Sequence, residues 1–186
     1  MNNCYLDAEA VITFFRMTGR KHIFITGSRG SGKSHLVNNM LKHMSDSFNL
    51  LQSHRTDTPQ VGIKSNLVAD NKEFVIGVPR TSGINPASKG NNMTIIEDGF
   101  INCAIPAIDT HLDTTPERLF VIDELGYLES SCIPFQKAVE KLLDNSHVLA
   151  VIRKQSTEFL NRICNRKDVL VIDIDNTFET LSCIIM

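Results

Sequence analysis

The chain has 186 residues, 42% of them hydrophobic, and a formal net charge of -2 with a pI near 6.3. A chain of this length can bury one substantial core, so we expect a single domain over residues 1–186. The slightly acidic balance argues against a general nucleic-acid binder, because such proteins usually carry a strong basic excess.

The first elements in the chain are a helix, a strand and a glycine-rich turn. Apolar residues at helical spacing predict a helix over 6–17, ended by Gly19, and the run Ile23-Phe24-Ile25 predicts a buried strand. Residues 27–34, which we call the glycine-rich loop, read Gly27-Ser28-Arg29-Gly30-Ser31-Gly32-Lys33-Ser34 and match the pattern G-x-x-x-x-G-K-[ST]. Residues 34–44 then show helical spacing, which gives the strand, loop and helix that this pattern requires.

The residue types of the glycine-rich loop are those needed to bind a triphosphate. Glycines let the backbone wrap closely, so that successive N–H groups form a site for anions. Lys33 is expected to reach the β- and γ-phosphates, and the Ser34 hydroxyl to bind Mg²⁺ beside phosphate oxygens and water. The sequence therefore predicts a nucleoside triphosphate site with Mg²⁺, formed by Gly27, Ser28, Arg29, Gly30, Ser31, Gly32, Lys33, Ser34 and His35.

The middle of the chain is harder to interpret. A second strand is expected over 48–53, but residues 54–92 are rich in Thr, Ser, Asn, Gly and Pro, and only 73–78 has a strand-like core. Residues 80–92 are expected to form a mobile loop. An ordinary surface connection and a loop that folds over substrate are equally good interpretations of this polar stretch.

A helix is expected over 101–111, followed by a buried strand, Leu119-Phe120-Val121-Ile122-Asp123-Glu124, that ends in two acids. Ligands of open α/β folds bind at the carboxyl edge of the sheet, where such a strand places its last side chains. Asp123 is expected to act on the metal through a bound water, and Glu124 to polarise an attacking water and accept its proton. The alternative is that the two acids only cap the next helix.

The last third alternates between helices over 135–143 and 159–164 and strands over 148–152 and 169–174. This alternation predicts a three-layer α/β/α domain with a largely parallel sheet. Arg153 and Lys154 follow a strand directly, so one of them, Arg153 in our assignment, could stabilise charge on the γ-phosphate in the transition state. An exposed basic pair is the alternative, and Arg29 is a competing cation.

The five cysteines are scattered along the chain without a C-x-x-C pair, a pattern typical of reduced thiols rather than of a zinc or redox site. Asp7 and Glu9 interrupt any N-terminal apolar region, so no signal-peptide pattern is present. No apolar run approaches the roughly twenty residues of a membrane span. We therefore expect a cytoplasmic protein with no membrane partner.

Beyond the glycine-rich loop, the segment Val121-Ile122-Asp123-Glu124-Leu125-Gly126-Tyr127-Leu128-Glu129 resembles the D-E-[IL]-G-x-[ML]-E signature of a small nucleoside-triphosphatase family found in archaea, bacteria and animals. The preceding stretch 99–108 is also similar to that family. The resemblance covers the first fifty residues and 99–175. Between them, His54-Arg55-Thr56 and Ile76-Gly77-Val78 are only loose counterparts of the family's motifs, so the base pocket is not defined by the resemblance.

The resemblance implies a P-loop domain that slowly hydrolyses several nucleoside triphosphates, ATP and GTP among them, to diphosphate and phosphate with Mg²⁺. Carried over by position, the glycine-rich loop would bind phosphate and Mg²⁺, Asp123 would support the metal, and Glu124 would activate water. The physiological substrate does not follow from such activity.

Three alternatives compete with hydrolysis. A guanine-nucleotide switch fits Asp123-Glu124-Leu125-Gly126, but Asn165-Arg166-Lys167-Asp168 has the wrong order and position for its base-reading motif. A nucleotide or small-metabolite kinase would use the same loop and metal. Its anionic acceptor could be held by Arg55, Arg80, Arg162 and Arg166. A nucleotide-regulated interaction module would instead bind tightly, turn over little and respond to a protein partner.

Overall fold

The computed structural model describes residues 6–44, 47–68, 72–80 and 93–176. Within them one mixed sheet lies between helices. Its strands are β1 His22–Thr26, β2 Phe48–Arg55, β3 Val61–Ser65, β4 Phe74–Pro79, β5 Met93–Ile95, β6 Leu119–Leu125, β7 His147–Ile152 and β8 Val169–Asp173. The α-helices are α1 Ala8–Thr18, α2 Lys33–Met44, α3 Glu97–Gly99, α4 Ile105–Thr114, α5 Ile133–Asn145 and α6 Glu158–Cys164.

The sheet has two parts with different strand directions. Its order is β5-β4-β3-β2-β6-β7-β1-β8. Strands β2, β6, β7, β1 and β8 pair in parallel and form what we call the parallel half. Strands β3, β4 and β5 continue the sheet from β2 by antiparallel pairing and form the antiparallel extension. The predicted α/β class with a mostly parallel sheet is confirmed.

Alternating side chains of the buried strands build a separate core on each face of the sheet. Ile23 and Ile25 of β1 pack with apolar residues of α1 and α2. Phe24, between them, belongs to the core on the opposite face, together with buried residues of α4, α5 and α6. Alternation of this kind is expected from strand geometry, because successive side chains point to opposite faces. It produces the three predicted layers.

The predicted elements of the parallel half are all present, with small shifts at their ends. The first helix begins where Asp7 caps it by accepting a hydrogen bond from the Ala10 N–H at 3.1 Å, and Gly19 ends it with φ 64°. The second strand is longer than predicted and runs to Arg55. The prediction of a single strand between residues 54 and 92 was wrong, because β3 also lies there; β5 was missed as well. Of the predicted loop over 80–92, residues 81–92 lie outside the described residues.

The predicted helix over 101–111 is the middle of a longer helical segment. Helix α3 leads into a π-helical stretch, Phe100–Ala104, and this continues as α4. Gly99 lies against β4, where a β-carbon would come within 2.4 Å of the Val75 carbonyl oxygen. Only glycine lets the helix approach the extension this closely, which fixes the position of the segment before β6.

No helix in the part of the chain that the structure describes has the length and apolarity needed to cross a membrane.

Candidate active site

The glycine-rich loop connects β1 to α2 at the carboxyl edge of the parallel half. Gly30 and Gly32 have φ of 78° and 95°, a conformation that side chains with a β-carbon rarely adopt. The amino end of α2 follows at Lys33, so unpaired N–H groups and the positive end of the helix dipole face the loop. The Ser31 hydroxyl is buried and has no hydrogen-bond partner among the described residues, which leaves it available to an anion.

Lys33 lies across the mouth of this loop. Its Nζ donates to the carbonyl oxygens of Gly27 and Ser28 at 2.8 and 2.7 Å. The ammonium group is therefore held at the centre of the loop by two neutral acceptors, which an anionic phosphate oxygen could replace as a stronger, charge-assisted partner.

A cavity of about 760 Å³ brings most of the predicted site residues together. Glu124 and Arg153, which are far from the loop in sequence, line it opposite the loop. The lining also includes His35, Arg55, Lys154 and Gln155. The predicted loop residues that line it are Gly27, Ser28, Arg29, Gly30, Ser31, Gly32, Lys33 and Ser34. Asp123, the residue before Glu124, does not line this cavity.

Glu124 and Arg153 form an ion pair at the end of β6 and β7, between the Arg153 Nε and the Glu124 Oε1. The Glu124 side chain is 25% exposed, so its carboxylate is partly shielded from water but reachable from the cavity. Gly126 allows this arrangement, because a β-carbon there would come within 2.8 Å of the Arg153 Cδ. A carboxylate that can accept a proton and a cation that can contact phosphate thus lie next to each other.

Asp123 is held by the neighbouring strand, where the Gln52 Nε2 donates to its Oδ2 at 3.3 Å. Burial raises the pKa of Asp123, and the charge of Glu124 adds to this rise, while the Gln52 hydrogen bond and Lys33 oppose it. A cation nearby would offset this cost of a buried negative charge. Carboxylate and hydroxyl oxygens, the donors that Asp123 and Ser34 offer, are those that Mg²⁺ prefers. The described residues contain no cluster of three or more His, Cys, Asp or Glu that could hold a metal by itself. The donor set therefore fits an ion that also binds phosphate and water.

Glu129 shapes the turn after β6. It is only 5% exposed, and its carboxylate accepts hydrogen bonds from the Gly126 N–H at 2.9 Å and the Ser53 hydroxyl at 3.0 Å. Burial raises the pKa of Glu129, although these hydrogen bonds counteract the rise. The last acid of the sequence signature thus ties the turn beside Glu124 to β2.

Comparison with known proteins agrees with this geometry. The model of a protein family described as NTPase matches residues 22–181, a range that includes the glycine-rich loop and the end of β6. The chain belongs to this nucleoside-triphosphatase family. It is thus an enzyme that binds and hydrolyses nucleoside triphosphates, as the sequence resemblance implied.

Named relatives support the NTPase assignment, and solved structures support the fold. The nucleoside-triphosphatase THEP1 of Thermotoga sp. (strain RQ2) is 26% identical over 155 residues, which cover 82% of this chain and 86% of the relative. THEP1 of Thermotoga maritima is 25% identical over the same shares. The fold is similar to the crystal structure of THEP1 from the hyperthermophile Aquifex aeolicus, with a TM-score of 0.63, 18% identity and coverage of 88% and 96% of the two chains. It is also similar to the solution structure of a human cancer-related nucleoside triphosphatase, with a TM-score of 0.61, 20% identity and coverage of 89% and 95%.

In this NTPase a second set of contacts fastens the glycine-rich loop to the end of β8. Asp175 accepts hydrogen bonds from both the backbone N–H and the hydroxyl of Ser28 at 2.7 Å. Lys154 pairs with Asp175 at 3.0 Å and with Asp173 at 2.8 Å. The hydrogen bonds from Ser28 and Lys154 lower the pKa of Asp175 to about 2, so it stays ionised near neutral pH. Because Lys154 is already paired with these two acids, it is less suited than Arg153 to contact the γ-phosphate.

Two of the arginines considered for an anionic acceptor do not lie at the site. Arg162 pairs with Glu140 at 2.6 Å, and Arg166 pairs with Asp144 and Asp168 at 2.8 Å. Neither arginine lines the cavity, and both belong to ion pairs around α6 and the start of β8, so the geometry gives their suggested role no support. Arg55 does line the cavity, because β2 ends beside β6.

Sequence reasoning missed Gln52, Gln155 and Asp175. Gln52 could have been found from its place opposite Asp123 in the register of β2 and β6. Gln155 and Asp175 each follow a strand end, a signal that becomes specific only when the strand order is known.

Proposed function

We propose that this NTPase hydrolyses several nucleoside triphosphates, including ATP and GTP, to the diphosphate and phosphate in a Mg²⁺-dependent reaction. The observation that carries the proposal is that Glu124 lines the same cavity as Lys33 and the rest of the glycine-rich loop. A candidate base thus faces the residues that would hold the triphosphate. Among the described residues that line this cavity none is Phe, Tyr or Trp, which is consistent with little discrimination between bases.

In the proposed mechanism the backbone N–H groups of the loop and Lys33 bind the β- and γ-phosphates. Glu124 orients a water molecule toward the γ-phosphorus and accepts its proton as the bond to the β-phosphate oxygen breaks. Arg153, paired with Glu124 in the structure, contacts the γ-phosphate and stabilises its developing charge. This exchange of partners would release the Glu124 carboxylate for water.

We assign Mg²⁺ binding to Ser34 directly and to Asp123 through a bound water. The chemistry that the ion would supply is neutralisation of charge on the phosphate oxygens. The tie from Gln52 keeps the Asp123 carboxylate oriented at the end of β6. We also infer one domain over residues 1–186 and a cytoplasmic location. Support for the location comes from the free thiols of Cys103, Cys132 and Cys164.

Glu124→Gln tests the central role. The variant keeps the size and a hydrogen-bonding oxygen but cannot accept the proton, so we expect turnover to fall by about 100-fold to 10,000-fold, the range typical of a lost general base. Nucleotide affinity should change little. Glu158→Gln makes the same change at a side chain that is 96% exposed on α6 and serves as the control.

The measurements are phosphate release from ATP, GTP, CTP and UTP with Mg²⁺, and nucleotide binding by calorimetry. Full turnover in Glu124→Gln would overturn the assignment. Loss of both binding and turnover would show that Glu124 is needed for the structure of the site instead.

Omitting Mg²⁺ with a chelator present should abolish phosphate release from the parent protein.

Arg153→Ala and Arg29→Ala separate the two candidate cations. We expect turnover to fall by about 100-fold to 1000-fold in Arg153→Ala, since one electrostatic contact in a transition state contributes roughly that much. Arg29→Ala should change turnover less than Arg153→Ala. Unchanged turnover in both variants would show that neither arginine stabilises the transition state.

A further inference from the structure

A second cavity, of about 610 Å³, opens beside the active site. It shares three lining residues with the first cavity: Arg55, Glu124 and Arg153. These residues form the boundary between the two spaces. Because Glu124 is the proposed base, the second cavity approaches the γ-phosphate position from the side on which the attacking nucleophile must be.

The lining of this second cavity is partly polar, and its apolar part belongs mainly to the antiparallel extension. Val61, Pro79 and Met93 come from its three strands, and Leu128 comes from the turn after β6. Gly77 lets Leu128 pack closely, since a β-carbon there would come within 2.7 Å of the Leu128 Cδ1. Water alone needs no apolar wall, whereas the body of an organic molecule is stabilised by one.

Arg55 supplies a positive charge at the boundary. Its side chain is exposed at the end of β2, and the described residues offer no ion-pair or side-chain hydrogen-bond partner for it. Arg153 in contrast is paired with Glu124. A guanidinium group binds a carboxylate through two parallel hydrogen bonds, so Arg55 is suited to an anionic group on a molecule in the second cavity.

We propose that the second cavity binds an organic phosphoryl acceptor, a small alcohol that carries a carboxylate beside its hydroxyl group and an apolar substituent. The inference rests on the proposed role of Glu124. The carboxylate pairs with Arg55, the apolar substituent lies against Met93 and Val61, and the hydroxyl oxygen takes the place of water. That oxygen attacks the γ-phosphorus, Glu124 accepts the hydroxyl proton, and the bond between the γ-phosphorus and the β-phosphate oxygen breaks to give ADP and a phosphomonoester.

The probe is phenyllactate, which has the carboxylate, the neighbouring hydroxyl group and an apolar ring. The control compound, phenylpropionate, has the same charge and ring but lacks the hydroxyl group. Ligand-detected NMR with protein loaded with MgADP tests binding outside the glycine-rich loop. Reactions with MgATP are then followed by counting ADP and phosphate and by phosphorus NMR of the acceptor.

We expect both compounds to bind the MgADP-loaded protein, and phenyllactate alone to give more ADP than phosphate together with a phosphomonoester resonance. No binding, or binding with equal ADP and phosphate, overturns the proposal and leaves hydrolysis intact. ADP formed only when phenyllactate is present would support the acceptor site and refute the proposed hydrolysis. The two ideas can therefore fail separately.

Met93→Glu and Thr94→Glu form a matched pair, because the two neighbours lie on β5 and add the same charge, one in the cavity wall and one at an exposed position. We expect Met93→Glu to weaken phenyllactate binding by about tenfold or more through repulsion of like charges. Thr94→Glu should leave both binding and hydrolysis of ATP unchanged. Arg55→Gln, at an exposed position, should also weaken phenyllactate binding. If Met93→Glu lowers the melting temperature, Arg55→Gln serves as the test variant in its place. Equal affinity in parent, Met93→Glu and Arg55→Gln would overturn the assignment.

Discussion

The parallel half and the antiparallel extension share one sheet but are built differently. Strand β6 in the parallel half is an almost continuous apolar run that carries Asp123 and Glu124 just before its last residue, Leu125. Strand β3 in the extension is shorter, includes Gly62 and exposes Lys64. Parallel strands are buried on both faces, whereas antiparallel strands often have one face in water.

The difference separates two tasks. The carboxyl ends of the parallel strands bring the glycine-rich loop, Glu124 and Arg153 to one edge, where the triphosphate chemistry is proposed. The extension adds an apolar wall next to that edge and contributes no predicted catalytic residue. The rate of hydrolysis should therefore depend on single charged residues of the parallel half. Changes in the extension should instead affect the stability of the protein and the binding of molecules beside Glu124.

Lys33→Ala should have the largest effect and tests the parallel half directly. Loss of a charge-assisted contact to phosphate should weaken nucleotide affinity by about 100-fold or more. Lys42→Ala, on the same helix and hydrogen-bonded to Asn39, is the control and should bind normally. Calorimetry with ATP and Mg²⁺ measures both. Normal nucleotide affinity in Lys33→Ala would contradict the assignment of nucleotide binding to the glycine-rich loop, and with it the division of tasks between the two regions.

Acid should weaken the parallel half through His22, which is fully buried in β1. Burial lowers the pKa of His22 to about 4 from 6.5, so the unfolded chain takes up a proton at a higher pH than the folded protein. The stability contribution is complete above pH 6.5 and is lost as the pH falls toward about 4. The loss is roughly 3 kcal/mol at most, since one pKa unit corresponds to about 1.4 kcal/mol.

Urea unfolding of the parent protein and of His22→Leu between pH 4 and 7 measures this effect. The parent should lose stability across the range more steeply than His22→Leu, which has no group to titrate at this position. Parallel pH profiles would show that His22 does not set the acid sensitivity.

Gly99→Ala tests the packing of the extension. The new methyl group would meet the Val75 carbonyl oxygen, part of the backbone of β4, so the helix and strand must move apart. We expect a loss of about 2 kcal/mol in the free energy of unfolding, as for other overpacked sites. Asp98→Ala, at the exposed neighbouring position, should change stability little. A Gly99→Ala protein with lower stability but unchanged nucleotide affinity would show that packing against the extension can be weakened without affecting the nucleotide site.

Asp175→Asn should have the smallest effect. The amide can still accept the Ser28 hydrogen bonds but loses its charge opposite Lys154. We expect KM for ATP to rise by about fivefold, the equivalent of about 1 kcal/mol for one weakened hydrogen bond. Because Asp175 positions the loop and does not line the cavity, kcat should stay within twofold. A fall in kcat at constant KM would contradict this positioning role; steady-state kinetics decides.

Sequence patterns predicted the parallel half well and the extension poorly, for a physical reason. The glycine-rich loop and the two acids near the end of β6 form local patterns whose meaning does not depend on distant residues. Strand β5 has only three residues, and β3 has no regular alternation, so both depend on pairing with their neighbours. The pairing of Glu124 with Arg153 and the hydrogen bonds of Asp175 likewise depend on strand order. Sequence predicted most of the residues that line the cavity beside the glycine-rich loop, but not these partners.

The contact between Ser28 and Asp175 spans 147 positions of the chain. On the ribosome the glycine-rich loop emerges well before β8, which pairs with β1 and leads to Asp175. A nascent chain that still lacks β8 has the loop without its anchor and without the last neighbour of β1. The nucleotide site is therefore completed only after the other four strands of the parallel half have been made.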